Sequence, residues 1–424
     1  MEPLHHTPWT ALEKVLSSPP TTTVKEISTR PSHVAGNGHP LPRFYFKKPA
    51  ERGSIVGLEL QRTLLEVIQS THEQAVFSSD ELDVLWKCLC SHSTAQSDGE
   101  SQRASFLQYL ATKEDLGSKY EQYFKPSLFF RFSRDDQGRI DILQFFNFVL
   151  RKVSLMQTRV DLSKYDGDAD GYLVENELQL YIKELMPSLN LRNMSGSFEK
   201  FYVCTAVRKL LFFLNPLRKE RTSIESILLS PILTELFELR DPELPREYAQ
   251  SNWFSSYSAL RVYGQFISLD SDRNGMLSRK ELSKYRQQSL TSVFLDRVFQ
   301  EYQTYNNEMD FNAFLDFVLA MENMHTPQSI TYFFKLIDVY GFGYLDETIM
   351  TFFFQEVSTH LTSLGHESVP IKDVLNELFD MAHPKDLTRL TLQDLIDCGV
   401  GGTILNILSD YNGLHTYESR DGDK

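Results

Sequence analysis

Apolar residues recur at helical spacing along most of the chain, and no stretch alternates apolar and polar residues for the length of a strand. Strands are expected only as two-residue bridges between paired loops. The pattern therefore predicts an all-α protein. The predicted helices span Glu59–Ser70, Glu81–Cys90, Asp141–Gln157, Phe198–Phe213, Ser226–Leu239, Ser258–Leu269, Leu290–Tyr302, Ile330–Ile337 and Ile371–Phe379.

Polar segments without periodicity separate these helices. Residues 1–41 are rich in Thr, Ser, Pro and His, which predicts a mostly disordered N-terminal segment. Ser91–Ser105 is expected to be a polar linker between helices, and Met186–Ser197 a loop. Residues 418–424 are expected to form a polar tail.

A twelve-residue stretch, Asp270–Glu281 (DSDRNGMLSRKE), has the spacing of a calcium-binding EF-hand loop. Oxygen side chains stand at positions 1, 3 and 5, glycine at 6, leucine at 8 and glutamate at 12. Asp and Asn also favour ordinary turns, but six matched positions between apolar helices favour the metal loop. The predicted ligands are the side chains of Asp270, Asp272, Asn274, Ser278 (through a water) and Glu281, and the carbonyl of Met276.

A second stretch, Asp166–Glu177 (DGDADGYLVENE), follows the same spacing. Its position 9 is a valine, which cannot orient a water, so weaker calcium binding than in the Asp270 loop is expected. The predicted ligands are the side chains of Asp166, Asp168, Asp170 and Glu177, and the carbonyl of Tyr172.

EF-hands pair because a lone helix–loop–helix cannot bury its apolar face. Ser133–Gln144 resembles an eroded hand and is expected to pair with the Asp166 loop. The stretch Tyr302–Phe314 resembles the second half of another and is expected to pair with the Asp270 loop. The repeat of DILQFFNFVL (141–150) as DFNAFLDFVL (310–319) supports both as exit helices.

Three further segments resemble the same module with its chemistry lost. Asp338–Ile349 has aromatic residues at two ligand positions and isoleucine at a third, which predicts a metal-free loop. Leu390–Ile396 resembles an exit half. Asn215–Ser226 is a more eroded candidate.

The composition is that of a globular protein, with 41% hydrophobic residues in 424. Lys and Arg number 43 against 57 Asp and Glu, and the net charge of −14 argues against nucleic acid as a partner. The most apolar run, Phe201–Leu214, is too short to cross a bilayer and contains Arg208 and Lys209. No membrane span is expected.

Cysteine usage indicates a reducing compartment, because four thiols in a chain of this length make no disulfide framework. Together with the lack of an apolar signal core, this predicts a cytoplasmic and nuclear protein. The chain has no G-x-S-x-G, H-E-x-x-H, phosphate-loop or kinase motif, so no enzymatic activity is expected.

Several longer stretches resemble one known family. They include PRFYFKKPAE (42–51), FYVCTAVRKLLFFLNPLR (201–218), NWFSSYSALRVYGQFISLDSDRNGMLSRKELSKY (252–285) and DYNGLHTYESR (410–420). From about residue 42 to 420 the chain resembles the B-double-prime regulatory subunits of protein phosphatase 2A. The likeness is greatest to their gamma type, which is similar to the plant FASS/TONNEAU2 protein.

The resemblance implies a non-catalytic, calcium-binding subunit that binds a HEAT-repeat scaffold subunit and the phosphatase catalytic subunit. It also implies roles in choosing phosphoprotein substrates and in placing the enzyme at centrosomes or cortical microtubules. The family's ligands map onto Asp270, Asp272, Asn274, Met276 and Glu281.

One loop and one single residue depart from the gamma-type pattern. The intact acids of Asp166–Glu177 imply two ions rather than one, and Glu220 stands where glycine is expected in the eroded segment, which argues against metal there. A stand-alone EF-hand calcium sensor or adaptor stays open as an alternative, as does a calcium-regulated enzyme with a site built from distant residues.

The predicted organisation is a series of paired helix–loop–helix modules behind an N-terminal helical region. Its segments are the disordered 1–41, the helical region 42–128, a first EF-hand pair at 129–200, a second EF-hand region at 201–325, a degenerate EF-hand-like region at 326–417 and the tail 418–424.

Overall fold

The computed structural model describes residues 63, 67, 70, 76–95, 102–191, 196, 198–215, 221–302, 304–365 and 370–421. In these residues the regular structure is helical apart from short antiparallel strand pairs, and the all-α prediction is confirmed. The helices are α1 Ser79–His92, α2 Phe106–Leu116, α3 Pro126–Phe129, α4 Ile142–Ser163, α5 Glu175–Leu185, α6 Glu199–Leu214, α7 Ile224–Leu229, α8 Pro231–Glu238, α9 Arg246–Ser251, α10 Ser256–Leu269, α11 Arg279–Leu282, α12 Ser292–Glu301, α13 Phe311–Glu322, α14 Pro327–Ile337, α15 Glu347–Ser363, α16 Ile371–Ala382, α17 Leu392–Asp397, α18 Gly401–Ser409 and α19 Gly413–Asp421.

The strands are two or three residues long. They are β1 Thr94–Ala95, β2 Gln102–Ala104, β3 Ile140–Asp141, β4 Tyr172–Val174, β5 Arg221–Ser223, β6 Leu277–Ser278, β7 Glu308–Met309, β8 Tyr344–Asp346 and β9 Arg389–Thr391. They pair in the orders β1–β2–β3, β4–β5, β6–β7 and β8–β9.

Some predicted segments lie wholly or partly outside the described residues. They are the segment 1–41, most of Glu59–Ser70 and the position Glu220, although Thr63, Val67 and Ser70 are helical. The predicted tail is helical at its start, because α19 continues to Asp421.

The predicted single helix Ser226–Leu239 is wrong, because the chain forms two helices there. Helix α7 ends at Leu229, and α8 begins at Pro231. Proline has no N–H to donate and suits the first turn of a helix. The Ser230 hydroxyl accepts the Ile232 N–H at 3.1 Å and caps the new helix.

The predicted polar linker Ser91–Ser105 is also more ordered than expected. It contains β1 and β2, and β2 pairs with β3 with Ala104 opposite Ile140. Both residues are buried, so this short contact anchors the strand to the core. Two- and three-residue strands leave no alternation long enough to see in the sequence.

The described residues form two compact units. Residues up to Leu173 together with Ser223–Leu229 make the first, called unit 1, and Val174–Thr222 with the chain from Ser230 onward makes unit 2. The core of unit 1 is aromatic: the ring of Tyr109 lies 4.8 Å from that of Phe124 and 5.4 Å from that of Phe145.

The core of unit 2 is built around α13, whose residues are almost all buried. Phe311 and Phe314 both meet Phe266 of α10 edge to face at 5.3 Å. Edge-to-face pairs of this kind stabilise the core by more than the burial of their apolar area alone.

The charges inside the apolar run of α6 are paired. Arg208 binds Asp316 of α13 at 2.5 Å and lies 3.6 Å from Glu175 of α5, and Lys209 binds Glu235 at 2.6 Å. Arg208 therefore joins three helices of unit 2. Across the described residues we find no helix whose length and hydropathy would suit a bilayer.

Removing one partner of the Arg208–Asp316 pair should destabilise unit 2. Asp316→Ala leaves a largely buried guanidinium without its closest carboxylate, which costs about 3–5 kcal/mol. The matched control is Glu322→Ala, because the Arg261–Glu322 pair is about a third exposed and such pairs contribute about 0–1 kcal/mol. Denaturant midpoints measure both; equal shifts would contradict a structural role for the buried pair.

Candidate calcium loops

The Asp270 loop begins where α10 ends. The Asp270 N–H donates to the Phe266 carbonyl at 3.0 Å, which closes the last turn of the helix. Its carboxylate then turns inward, and the residue is only 3% exposed. It accepts the Asn274 N–H at 3.1 Å and the Gly275 N–H at 2.9 Å. Residue 1 of the loop therefore sets the path of residues 5 and 6.

Backbone conformation explains the glycine at position 6. Gly275 has φ of 80°, a value that costs glycine little and other residues much more. Arg273 also takes a left-handed φ of 61°. Together they bend the chain tightly enough for its N–H groups to reach one carboxylate.

Glu281 returns to the start of the loop from α11. Its Oε1 accepts the Ser271 N–H at 2.8 Å, and its Oε2 accepts the Ser278 N–H at 3.0 Å and the Ser278 hydroxyl at 2.7 Å. Carboxylate oxygens of Asp270, Asp272 and Glu281 lie within 4.8 Å of one another. The spacing of the motif thus brings three predicted ligands together.

Burial and hydrogen bonding act on these carboxylates in opposite directions. Burial raises the pKa of Asp270 above its ordinary value. Burial also acts to raise the pKa of Glu281, but hydrogen bonds from Ser278, Ser271 and Asp272 outweigh it and lower the pKa overall. Clustered carboxylates repel one another, and a divalent cation would offset that repulsion.

The other predicted ligands of this loop lie beside the carboxylates. Asn274 Oδ1 accepts the Met276 N–H at 2.7 Å, and its Nδ2 donates to Asp272 at 3.1 Å and to Glu308 at 2.9 Å. Ser278 contacts Glu281 directly, as the capping residue of α11. The expected water-mediated role of Ser278 stays a prediction.

Glu308 is a residue that the loop motif does not reveal. It lies on β7, opposite Ser278 of β6, and its carboxylate holds the amide of Asn274. Partners of this kind orient the groups that ligate a metal. The predicted pairing of Tyr302–Phe314 with the Asp270 loop is confirmed by the β6–β7 pair.

The Asp166 loop repeats the backbone arrangement. Asp166 is 4% exposed and accepts the Asp170 N–H at 3.2 Å and the Gly171 N–H at 2.8 Å. Carboxylate oxygens of Asp166, Asp168 and Asp170 lie within 4.8 Å of one another. Burial raises the pKa of Asp166, and the nearby Asp170 and Asp168 add to the rise.

The remaining predicted ligands of the Asp166 loop lie at its exit. Tyr172 donates its N–H to Asp170 at 2.8 Å. Glu177 belongs to unit 2, where its Oε2 accepts the Val174 N–H at 2.9 Å in the first turn of α5. Calcium ligation by all these residues stays a prediction.

The predicted pairing of Ser133–Gln144 with the Asp166 loop is wrong. The β3 strand of that segment pairs with β2, so its partner is the upstream segment that looked like a linker. The Gly171 carbonyl of the Asp166 loop instead accepts the Ile224 N–H at 3.0 Å. Its neighbour is therefore the end of the eroded segment, at Ile224, and helices α4 and α7 pack together beside it.

The Asp338 loop keeps the fold without the donor groups. Asp338 accepts the Phe342 N–H at 3.0 Å and the Gly343 N–H at 2.7 Å. Tyr340 and Phe342, at positions 3 and 5, are 63% and 58% exposed. This loop pairs through β8 with β9, the strand before the predicted exit half Leu390–Ile396.

Paired helix–loop–helix hands, two of them with convergent carboxylates, define an EF-hand class of protein. No family model matches the chain. It is 45% identical to the human B'' gamma regulatory subunit of serine/threonine-protein phosphatase 2A over 383 residues, 90% of this chain and 84% of that protein. The Danio rerio gamma protein matches with the same identity and coverage.

The Arabidopsis thaliana protein TON2, named as a probable B'' regulatory subunit of the same phosphatase, is 36% identical, with 90% of this chain and 82% of that protein covered. The chain belongs to the B'' family of protein phosphatase 2A regulatory subunits. The family resemblance predicted from the sequence is therefore confirmed. The expectation of a non-catalytic protein is also confirmed, because these relatives are named as regulatory subunits.

A solved structure supports the fold. One chain of the structure described as "PP2A PR70 Holoenzyme" with "diCa" aligns with a TM-score of 0.53. The alignment covers 57% of this chain and 92% of that one, at 22% identity. This likeness is of fold and agrees with the EF-hand helical architecture described above.

Calorimetry of the full chain should show separate calcium-binding events for the two loops. Asp270→Ala combined with Glu281→Gln should abolish one, because it removes the two most buried carboxylates of that loop. Asp166→Ala combined with Glu177→Gln should abolish the other.

Asp338→Ala is the matched control for both double variants. It removes the same position-1 hydrogen bonds from a loop in which aromatic side chains replace the metal ligands. The calcium-binding events of the other two loops should therefore persist. A titration that neither double variant changes would refute the assignment.

Proposed function

We propose that this chain is a calcium-binding, non-catalytic regulatory subunit of protein phosphatase 2A. It binds a HEAT-repeat scaffold subunit and the catalytic subunit and thereby sets which phosphoproteins reach the active site. The observation that carries the proposal is 45% identity to the human B'' gamma protein along 90% of the chain. A likeness of that length covers far more than the two loops.

Calcium is the ion that the loops fit best. Their donors are carboxylate, amide and carbonyl oxygens, which suit a hard cation of flexible coordination. Asp270 and Glu281 are buried at 3% and 6% exposure, so a bound ion would offset charge that water cannot fully solvate. Binding would fix the position of α10 relative to α11.

The proposal extends to where the protein acts. A cytoplasmic and nuclear protein that is recruited to centrosomes or cortical microtubules fits the family resemblance and the cysteine usage. Imaging of the tagged full chain in dividing cells tests this part. A distribution that never coincides with centrosomes or cortical microtubules would contradict recruitment, and it would not bear on phosphatase binding.

Capture from purified components tests the main proposal. The immobilised full chain should retain the scaffold and catalytic subunits in calcium, and the chain alone should have no phosphatase activity. If the ion supports assembly, retention of the two subunits should be weakened by a chelator, and equally by the Asp270→Ala, Glu281→Gln double variant.

The outcomes separate the phosphatase role from that of a free calcium sensor. Failure to retain either subunit at micromolar concentration in calcium would contradict the phosphatase role. A calcium-dependent exposure of apolar surface in the same protein would then favour a stand-alone sensor.

A further inference from the structure

A second kind of donor cluster lies in unit 1 and shares no residue with either loop. Cys88 and His92 are one turn apart on α1, and Asp115 lies in the last turn of α2. One potential ligand atom from each of the three, a sulfur, a nitrogen and an oxygen, lies within 4.8 Å of the other two. Residues four apart on a helix share one face, so α1 presents its two donors together.

The geometry of this cluster is set by the packing of α1 on α2. His92 Nε2 lies 2.7 Å from Asp115 Oδ2. The Cys88 thiol points at the Thr112 carbonyl, 4.0 Å away and one turn before Asp115. The side chain of His92 is 28% exposed and that of Asp115 is 63% exposed, so an ion from solvent can reach the cluster.

The chemistry of the donors differs from that of the calcium loops. Thiolate and imidazole ligands suit zinc and related transition metals and do not suit calcium. Zinc is commonly bound by three side chains and a water in tetrahedral geometry, with ligand distances of about 2.0–2.3 Å. Ligand atoms of such a site are about 3.3–3.7 Å apart. The three atoms of this cluster lie within 4.8 Å of one another, so binding requires the 2.7 Å contact between His92 and Asp115 to open.

The position in the helices also favours a cation. His92 is the last residue of α1, and Asp115 is the last but one of α2. Carbonyl groups at the end of a helix lack intrahelical partners and carry partial negative charge. We propose that Cys88, His92 and Asp115 form a zinc-class metal site with a water as fourth ligand, which joins α1 to α2.

An ion pair or a reactive thiol accounts for the cluster less well than a metal site does. A His92–Asp115 ion pair alone would be largely exposed and would contribute little, and it gives Cys88 no part. A reactive thiol would give Asp115 no part, and burial together with the nearby Asp115 raises the pKa of Cys88 above its ordinary value. Metal binding would displace the thiol proton.

Cobalt(II) tests the proposal, because a thiolate ligand produces a charge-transfer absorption that oxygen ligands do not. The full chain is first saturated with calcium so that both loops are filled, and Co²⁺ is then added alone. One equivalent should produce the thiolate band, and Zn²⁺ should displace it. Cys88→Ser should remove the band.

Cys90→Ser is the matched control, because Cys90 lies on the same helix but packs against the core of unit 1. It should leave the band unchanged. His92→Gln and Asp115→Asn should each weaken Co²⁺ binding by at least about tenfold. Substituting a residue that only hydrogen-bonds to a metal ligand can already cause a loss of that size. His92 and Asp115 are both partly exposed, so these variants test the site even if Cys88→Ser fails to fold.

Three results would each overturn the proposal. The first is the absence of a thiolate band in the unsubstituted chain at excess Co²⁺. The second is a band that survives Cys88→Ser, and the third is binding that neither His92→Gln nor Asp115→Asn weakens, since the metal would then lie elsewhere. None of these results bears on phosphatase binding.

Discussion

The calcium loops depend on one interaction, the acceptance of two backbone N–H groups by the aspartate at position 1. Asp166, Asp270 and Asp338 each hold the N–H groups of positions 5 and 6. Hydrogen bonds to a charged acceptor are among the stronger ones, and each aspartate is buried. The Asp338 loop shows that this interaction maintains the turn even where aromatic rings replace the ligands. Shape and metal chemistry are therefore separable, and the Asp338 loop differs from the other two in the donor groups at positions 3, 5 and 12.

A buried ion network ties the helices around these loops together in unit 2. Arg208 of α6 binds Asp316 of α13 and approaches Glu175 of α5. Helix α5 follows the Asp166 loop along the chain, and α13 follows the strand that pairs with the Asp270 loop. Separating any one of the three helices from the others would leave a charge of this network unpaired, which is costly in a protein interior.

The sequence alone is sufficient for the convergence of the carboxylates in each loop and for the helical class, because both follow from spacing along a single segment. It is insufficient for contacts between distant segments. The strand that pairs with Ser133–Gln144 lies in Ser91–Ser105, whose polar composition indicates only a linker. Glu308 reaches Asn274 across a strand pair, and Asp316 lies 108 residues from Arg208, so no local pattern reveals either contact. The break before Pro231, in contrast, follows from the proline itself, which suits the first turn of a new helix.

We propose that two loops bind calcium, whereas the Asp338 loop has kept only the turn. A crystal structure of the full chain grown in calcium tests this proposal most directly. One ion is expected among Asp270, Asp272 and Glu281, a second among Asp166, Asp168 and Asp170, and none at Asp338. Empty loops with their carboxylates turned into solvent, at calcium concentrations that fill ordinary EF-hands, would contradict it.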